Sequence, residues 1–211
     1  MNPLHKPFKY TFFNATLILV LINIGVYILT MSMLSLQKYL GMSVVGCIYY
    51  HYWWQIVTYM FVHGNLSHII CNMIGLLCFG IMVEKAVGSK EFLLMYFFCG
   101  IFDGLISLLI YWLTEQGYVL LIGASGAIYS ILLVYAVLFP RSIISIWGII
   151  PVPAPLLVVI YAVIEVGSQF LGRNTGVAHL THLTGFALAW IYLVVRMGLH
   201  PIKIWKDAYR R

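Results

Sequence analysis

Residues 119–139 read VLLIGASGAIYSILLVYAVLF, without one charged side chain. A run of this length suits a helix of about 20 residues crossing about 30 Å of hydrocarbon. Near its start, Gly123-Ala124-Ser125-Gly126-Ala127 sets a hydroxyl among small residues. Two other apolar segments open in a related way. One, AHLTHLTGFALAWIYLVV at 178–195, begins with His179 and His182; another begins with His63, Asn65, Ser67, His68 and Asn72. Polar groups are costly within lipid and usually face the protein interior. Hydroxyl, imidazole and amide near one end of three apolar segments point to serine chemistry inside a membrane.

The composition excludes most alternatives. The 211 residues are 63% hydrophobic and 9% charged, whereas a soluble domain carries about 25% charge. The expected class is an all-α polytopic membrane protein. The run 12–34 is longer than the roughly 7–15 residues of a signal-peptide core and reads as a retained helix. Cys47, Cys71, Cys78 and Cys99 form no C-x-x-C pair, so neither a zinc site nor a disulfide framework is expected. The net charge of +6 is spread over segment ends. There it anchors and orients a membrane protein and does not signal nucleic acid.

Six spans fit, near 12–34, 61–82, 91–113, 119–139, 144–164 and 177–197. The fifth is the weakest, because Pro151, Pro153 and Pro155 interrupt IIPVPAPLL. Its helix is expected to begin near Pro155, since proline suits a first turn and damages a helix interior. Six spans place Lys6, Lys9, Lys85, Lys90, Arg141, Arg196, Lys203, Lys206, Arg210 and Arg211 on one side, against Lys38 and Arg173 on the other. Ten against two makes the first side cytoplasmic, with both termini on it. The polar starts of spans two, four and six then share the outer side at one depth. The stretch from Ser35 to Met60 holds Tyr39, Tyr49, Tyr50, Tyr52, Trp53 and Trp54 and little charge, as suits a membrane interface.

Each polar residue has a plain structural use beside a chemical one. Ser125, between Gly123 and Gly126, suits close helix packing. At a helix start it also suits a nucleophile, because free N–H donors there favour developing negative charge. His182 is a candidate base; Gly185 and Ala189 on its helix would let span six approach span four. His179 competes for the role, and spacing leaves the choice open. His68 and Asn72, four residues apart, share a face and could donate to an oxyanion. A histidine metal site is disfavoured: no H-x-x-x-H or H-E-x-x-H occurs. Asp103 hints at ion translocation but has no carboxylate partner in sight. No Ser-His-Asp triad is evident, so a Ser–His dyad is the economical arrangement.

The chain resembles the rhomboid intramembrane serine proteases in their six-helix core form. WWQIVTYMFVHGNLSHIICNM at 53–73, Gly123-Ala124-Ser125-Gly126 and AHLTHLTG at 178–185 carry the resemblance in this order. It implies an intramembrane serine endopeptidase that cuts transmembrane segments of membrane-anchored proteins near the outer face. No cofactor, metal or obligate protein partner is implied; substrate proteins and membrane lipid are. The expected location is a bacterial inner (cytoplasmic) membrane. The family pattern makes Ser125 the nucleophile and His182, followed by x-x-Gly, the base. It assigns His68 and Asn72, with the Ser125 N–H, to the oxyanion hole. His63, Tyr129 and Gly123 become supporting residues, Tyr129 by stacking on the catalytic imidazole. Trp54 and Glu84 match structural positions. Two departures are Gln55, where many members have arginine, and Ala189, where glycine is common.

The resemblance also places span five beside the site as a gate for the substrate helix. Pro155 and the glycines of an expected loop over 165–176, Gly167 and Gly172 among them, would supply its freedom of movement. Residues 1–211 read as one membrane-embedded domain, with a cytoplasmic segment 1–11 and a basic tail 198–211. A hydrophilic entrance from His63, Asn65, Ser67 and His68 would admit water. The rival readings are a non-proteolytic client-binding membrane factor and, behind it, a transporter.

Overall fold

A computed structural model describes residues 7–146, 148–170 and 179–210. Six apolar helices carry the fold: α1 (Ala15–Ser32), α2 (Leu66–Val87), α3 (Ser89–Leu113), α4 (Ser125–Leu138), α5 (Ala154–Phe170) and α6 (His179–Val195). Three are of membrane-spanning length and three are shorter. The chain is therefore a polytopic membrane bundle of six apolar helices. A further, amphipathic helix, α7 (Pro201–Tyr209), follows α6.

The polarity of α1 runs opposite to that of a soluble helix. Thr16, Leu19, Asn23 and Thr30 face inward, while Leu21, Ile24, Ile28 and Leu29 are exposed. Lipid accepts the apolar face, and the Asn23 amide nitrogen and the Thr30 hydroxyl find carbonyls within the helix. The Asn23 amide donates to the Leu19 carbonyl at 2.7 Å and the Thr30 hydroxyl to Val26 at 2.9 Å.

The central helix is α4, ten of whose fourteen residues are buried. It is short because residues 119–124 are not helical. Leu121 instead pairs in an isolated bridge with Met42, and their N–H groups reach each other's carbonyls at 2.8 and 2.9 Å. At about 1.5 Å per residue, α4 is roughly 21 Å long, less than the ~30 Å hydrocarbon core. Ser125, at its first position, therefore lies below a membrane surface when the other end reaches the opposite one. The second span likewise begins at Leu66 and not near 61, since Val62 is extended and Asn65 caps the helix. A π-helical stretch, Leu76–Gly80, interrupts it.

Against α4 packs α6, close enough that glycine is required at the contact. A Cβ on Gly185 would strike the Gly126 carbonyl, and Ala189 is fully buried. The Ser130 hydroxyl crosses the seam to the Gly185 carbonyl at 2.7 Å. Alanine at 189 therefore still allows tight packing, because the contact that demands glycine is one turn earlier.

The fifth helix starts where the prolines predict, but what precedes it and where it ends differ from the expected span. Residues 143–153 form an antiparallel hairpin, β1 (Ile143–Ile146) with β2 (Ile150–Pro153), turning at Gly148 with φ +73°. Pro151 and Pro153 lack N–H donors, which a two-stranded edge tolerates and a helix does not. Helix α5 then starts at Ala154 with Pro155 in its first turn, and it continues to Phe170. Glu165 and Gly167 are thus helical, not part of a loop; Gly172 lies outside the described residues.

Carboxylates tie the helices at the end opposite Ser125. Glu84, 1% exposed, accepts from the Ala15 and Thr16 N–H groups at 2.6 and 2.9 Å and from the Ser89 hydroxyl at 2.5 Å. It thereby satisfies the open N-terminus of α1. Glu91 accepts from both Nε and Nη2 of Arg196, at 2.9 and 3.0 Å, and from the Tyr192 hydroxyl at 2.6 Å, joining α3 to α6. The expected basic tail is α7, docked beneath α4: Trp205 Nε1 donates to the Ala136 carbonyl at 2.9 Å and the Tyr209 hydroxyl to Pro140 at 2.7 Å.

The aromatic stretch before α2 is held by Gln55, 1% exposed. Its Nε2 donates to the Lys38 and Tyr39 carbonyls, each at 3.2 Å, while Oε1 accepts from the Ser43 N–H at 3.3 Å. A neutral amide thus ties these strands of chain together where an arginine is common in the resembled family. Trp54 stacks on Tyr52, with ring centroids 4.7 Å apart, and donates to the Tyr39 carbonyl at 2.9 Å.

Candidate active site

The turn before α4 requires glycine at 123 for two reasons. Its φ is +117°, and a Cβ there would lie 2.7 Å from His68 Nε2 and 3.6 Å from Asn72 Nδ2. The Gly123 N–H is fixed on the Tyr59 carbonyl at 2.9 Å. The side chains of His68 and Asn72 therefore converge on the backbone immediately before Ser125. The first-turn N–H groups of a helix have no partner within the helix, so donors from three sources face one small volume.

His63 fixes the amide of Asn72, whose Nδ2 is 2.9 Å from His63 Nε2. The other ring nitrogen, Nδ1, lies 3.3 Å from the Phe61 carbonyl. One tautomer satisfies both contacts, with Nδ1 protonated and Nε2 accepting. His63 precedes α2 and is fully buried. Burial first, and the neighbouring His68 second, hold its imidazole down at about 4, which keeps it neutral. A fully buried ring cannot line a water entrance, so the expected role of His63 there is corrected to support of Asn72. Asn65 and Ser67 are engaged in capping: Asn65 Oδ1 accepts from the His68 N–H at 2.8 Å and the Ser67 hydroxyl at 2.7 Å. The Gly64 N–H approaches His68 Nδ1 at 3.5 Å, an arrangement in which Nε2 is the protonated nitrogen facing Gly123.

Across the α4–α6 seam lies His182, 6% exposed. Tyr129 stacks on its ring, with centroids 4.2 Å apart and planes 11° from parallel. Ser125 and Tyr129 are four residues apart and share a face of α4, so the Ser125 end of that face looks toward the His182 turn of α6. His179 lies one turn away and also faces α5.

Sequence reasoning missed one member of the cluster. Glu165 of α5, 4% exposed, accepts at Oε1 from the Tyr129 hydroxyl (2.5 Å) and faces His182 Nδ1 (2.7 Å) with the same oxygen. Its Oε2 faces His179 Nδ1 at 2.5 Å. A carboxylate thus stands beside both histidines, which the expected Ser–His dyad did not include. The available signal was a lone acid in the apolar run LLVVIYAVIEV, since intramembrane acids are rare without a partner. Its distance from His182 in sequence and its assignment to a loop concealed the contact. Asp103, fully buried on α3, accepts from the Thr184 hydroxyl of α6, and a Cβ on Gly126 would strike it. It is thus enclosed by the seam, and among the described residues no direct bond joins it to the Glu165 cluster.

Of the remaining sequence candidates, Pro155 opens α5 at the far end from Glu165, and a Cβ added at Gly167 would meet no atom within 4 Å.

The family model of the Rhomboid domain matches residues 50–198. The chain is similar to RHOMBOID-like protein 5 of Arabidopsis thaliana, 29% identical over 144 residues, covering 67% of this chain and 44% of that protein. It is similar also to RHOMBOID-like protein 12, mitochondrial, of the same plant, 30% identical over 64% of this chain and 44% of that protein. A third relative is the putative rhomboid protease YdcA of Bacillus subtilis, 30% identical over 44% of this chain and 46% of that protein. The chain spans less than half the length of these relatives.

Proposed function

We propose that this chain, which belongs to the rhomboid family, is an intramembrane serine endopeptidase with Ser125 as nucleophile and His182 as base. The supporting observation is the convergence of His68 and Asn72 on the Gly123 turn beside Ser125, with His182 across the seam. The Ser125 oxygen attacks a peptide carbonyl while His182 Nε2 takes its proton. The N–H donors of His68, Asn72 and the α4 start receive the developing oxyanion. His182 then gives its proton to the leaving amine, and water releases the acyl group by the reverse sequence. The substrates in this reading are membrane-anchored proteins cut near the outer end of a transmembrane helix. Residues such as Gly or Pro weaken that helix and expose the bond. Both termini face the cytoplasm, and the membrane is a bacterial inner membrane.

Purified chain in detergent is expected to cleave a single-pass substrate bearing Gly near its outer boundary, with EDTA present and no nucleotide or ion gradient. Asn72→Ala should lose roughly 10²- to 10³-fold in that assay, the usual cost of one oxyanion donor. Loss of activity with EDTA and its return with zinc would sink the Ser–His reading, as would an unchanged rate in Asn72→Ala for the oxyanion assignment.

Substrate entry in this reading is lateral, between α5 and α2. Cysteines engineered near their outer ends and crosslinked should slow cleavage of membrane substrates much more than probe labelling of Ser125. Full membrane-substrate turnover in completely crosslinked protein would exclude the route.

A further inference from the structure

The proposed nucleophile and base stand on α4 and α6, which are locked together by the Gly126–Gly185 contact and the Ser130 bridge. Glu165 stands on a third helix, α5, and is the one described acid that touches both histidines of α6. An ionised carboxylate only accepts hydrogen bonds. Its two oxygens meet three donors, the Tyr129 hydroxyl and the Nδ1 positions of His179 and His182. Those contacts account for a buried acid in an otherwise apolar helix, which would be costly unpaired.

Resting on the protease reading above, we infer that Glu165 is a positioning residue for the base, and that through it the placement of α5 sets the state of His182. With Nδ1–H donated to Glu165, the neutral imidazole carries its free lone pair on Nε2, the form that accepts a proton from serine. Tyr129 holds the same Oε1 while its ring lies flat on His182, so ring plane and carboxylate are fixed by one side chain. When His182 takes the serine proton, the imidazolium is formed 2.7 Å from a carboxylate and not beside neutral groups alone. His179 occupies Oε2 and leaves Oε1 to His182 and Tyr129, which keeps the carboxylate from rotating. The structure thus supports a Ser–His–Glu relay, in which the third member arrives on the helix proposed to move for substrate. Displacing α5 from α6 withdraws the carboxylate and leaves the base without its orienting partner; restoring α5 after substrate entry rebuilds the relay.

The test compares full-length wild type, Glu165→Gln and Glu165→Asp in detergent, by proteolysis and by fluorophosphonate labelling of Ser125. Glutamine keeps the size of the side chain but offers only one acceptor oxygen and no charge. It is expected to lower kcat by up to roughly 10⁴-fold, the loss seen when the acid partner of a catalytic histidine is neutralised, with KM little changed. Aspartate keeps the charge on a shorter stem and should recover part of the kcat. Histidine-labelled wild type should show a low-field imidazole N–H resonance that the Gln variant loses. The unfolding midpoint reports whether the Gln variant is folded. An unchanged kcat in folded Glu165→Gln would overturn the inference while leaving the protease reading intact, and so would an equal loss in kcat for Gln and Asp. Wild-type protein inert toward both probe and substrate would overturn the protease reading itself, whatever the resonance shows.

Discussion

Ser125→Ala protein should show no proteolysis above background and no covalent labelling by a fluorophosphonate. The expected loss is on the order of 10⁶-fold, as when the nucleophile of a serine protease is removed, because the acyl group and the probe both bond to that one oxygen. The substitution spares the architecture. Ser125 is the first residue of α4, and its preceding cap position, Ala124, offers no side-chain acceptor, so no capping bond is lost. Helix α4 is held elsewhere, through Ser130, Gly126 and its buried apolar face. Alanine is also a good helix former. The unfolding midpoint should therefore stay at the wild-type value, and the loss of turnover can be read as chemistry. Labelling of Ser125→Ala at the wild-type level would refute the nucleophile assignment.

His182→Ala is expected to lose nearly as much, roughly 10⁴- to 10⁶-fold, whereas His179→Ala should retain most of the activity. The two histidines are one turn apart, and both face Glu165 through Nδ1. They differ in what lies on their other sides. His182 stacks on Tyr129, on the α4 face that carries Ser125; His179 lies a turn earlier, at the start of α6. In His182→Ala the carboxylate still accepts from Tyr129 and faces His179, so the buried charge is not abandoned and the variant should fold. In His179→Ala, Oε1 keeps both of its partners. A reversed pair of activities would move the base to His179 and displace the local alignment with the family motif.

Much of this protein was legible without coordinates because bilayers impose strict rules on sequence. Uncharged runs of about 20 residues have to be helices, since backbone polar groups in lipid must be satisfied within the segment. The polar residues inside those runs therefore marked the candidate site: Ser125, His182, His68 and Asn72 are each conspicuous against Leu, Ile and Val. The proline run warned that the fifth span was broken. It did not disclose a hairpin over 143–153, because a two-stranded pairing depends on a partner strand and not on local propensity. Nor did it disclose that the helix would extend past Glu165. Glycines read as loop signals gave way to apolar neighbours that continue a helix when α4 and α6 offer a surface to cover.

What the sequence by itself determined was the class, the number of apolar helices, and which residue types could do chemistry, all consequences of local composition and periodicity. Only the tertiary structure decided how those residues meet. The glycine contact at Gly126 and Gly185 sets how closely two helices approach. The positive φ at Gly123 lets His68 and Asn72 converge on one turn, and the paired orientation of His63 aims the Asn72 amide. Above all, Glu165 reaches Tyr129, His179 and His182 from another helix. Such contacts join residues 14 to 36 positions apart, and sequence spacing carries no record of them because they are made by the crossing of helices and not by the period of any one.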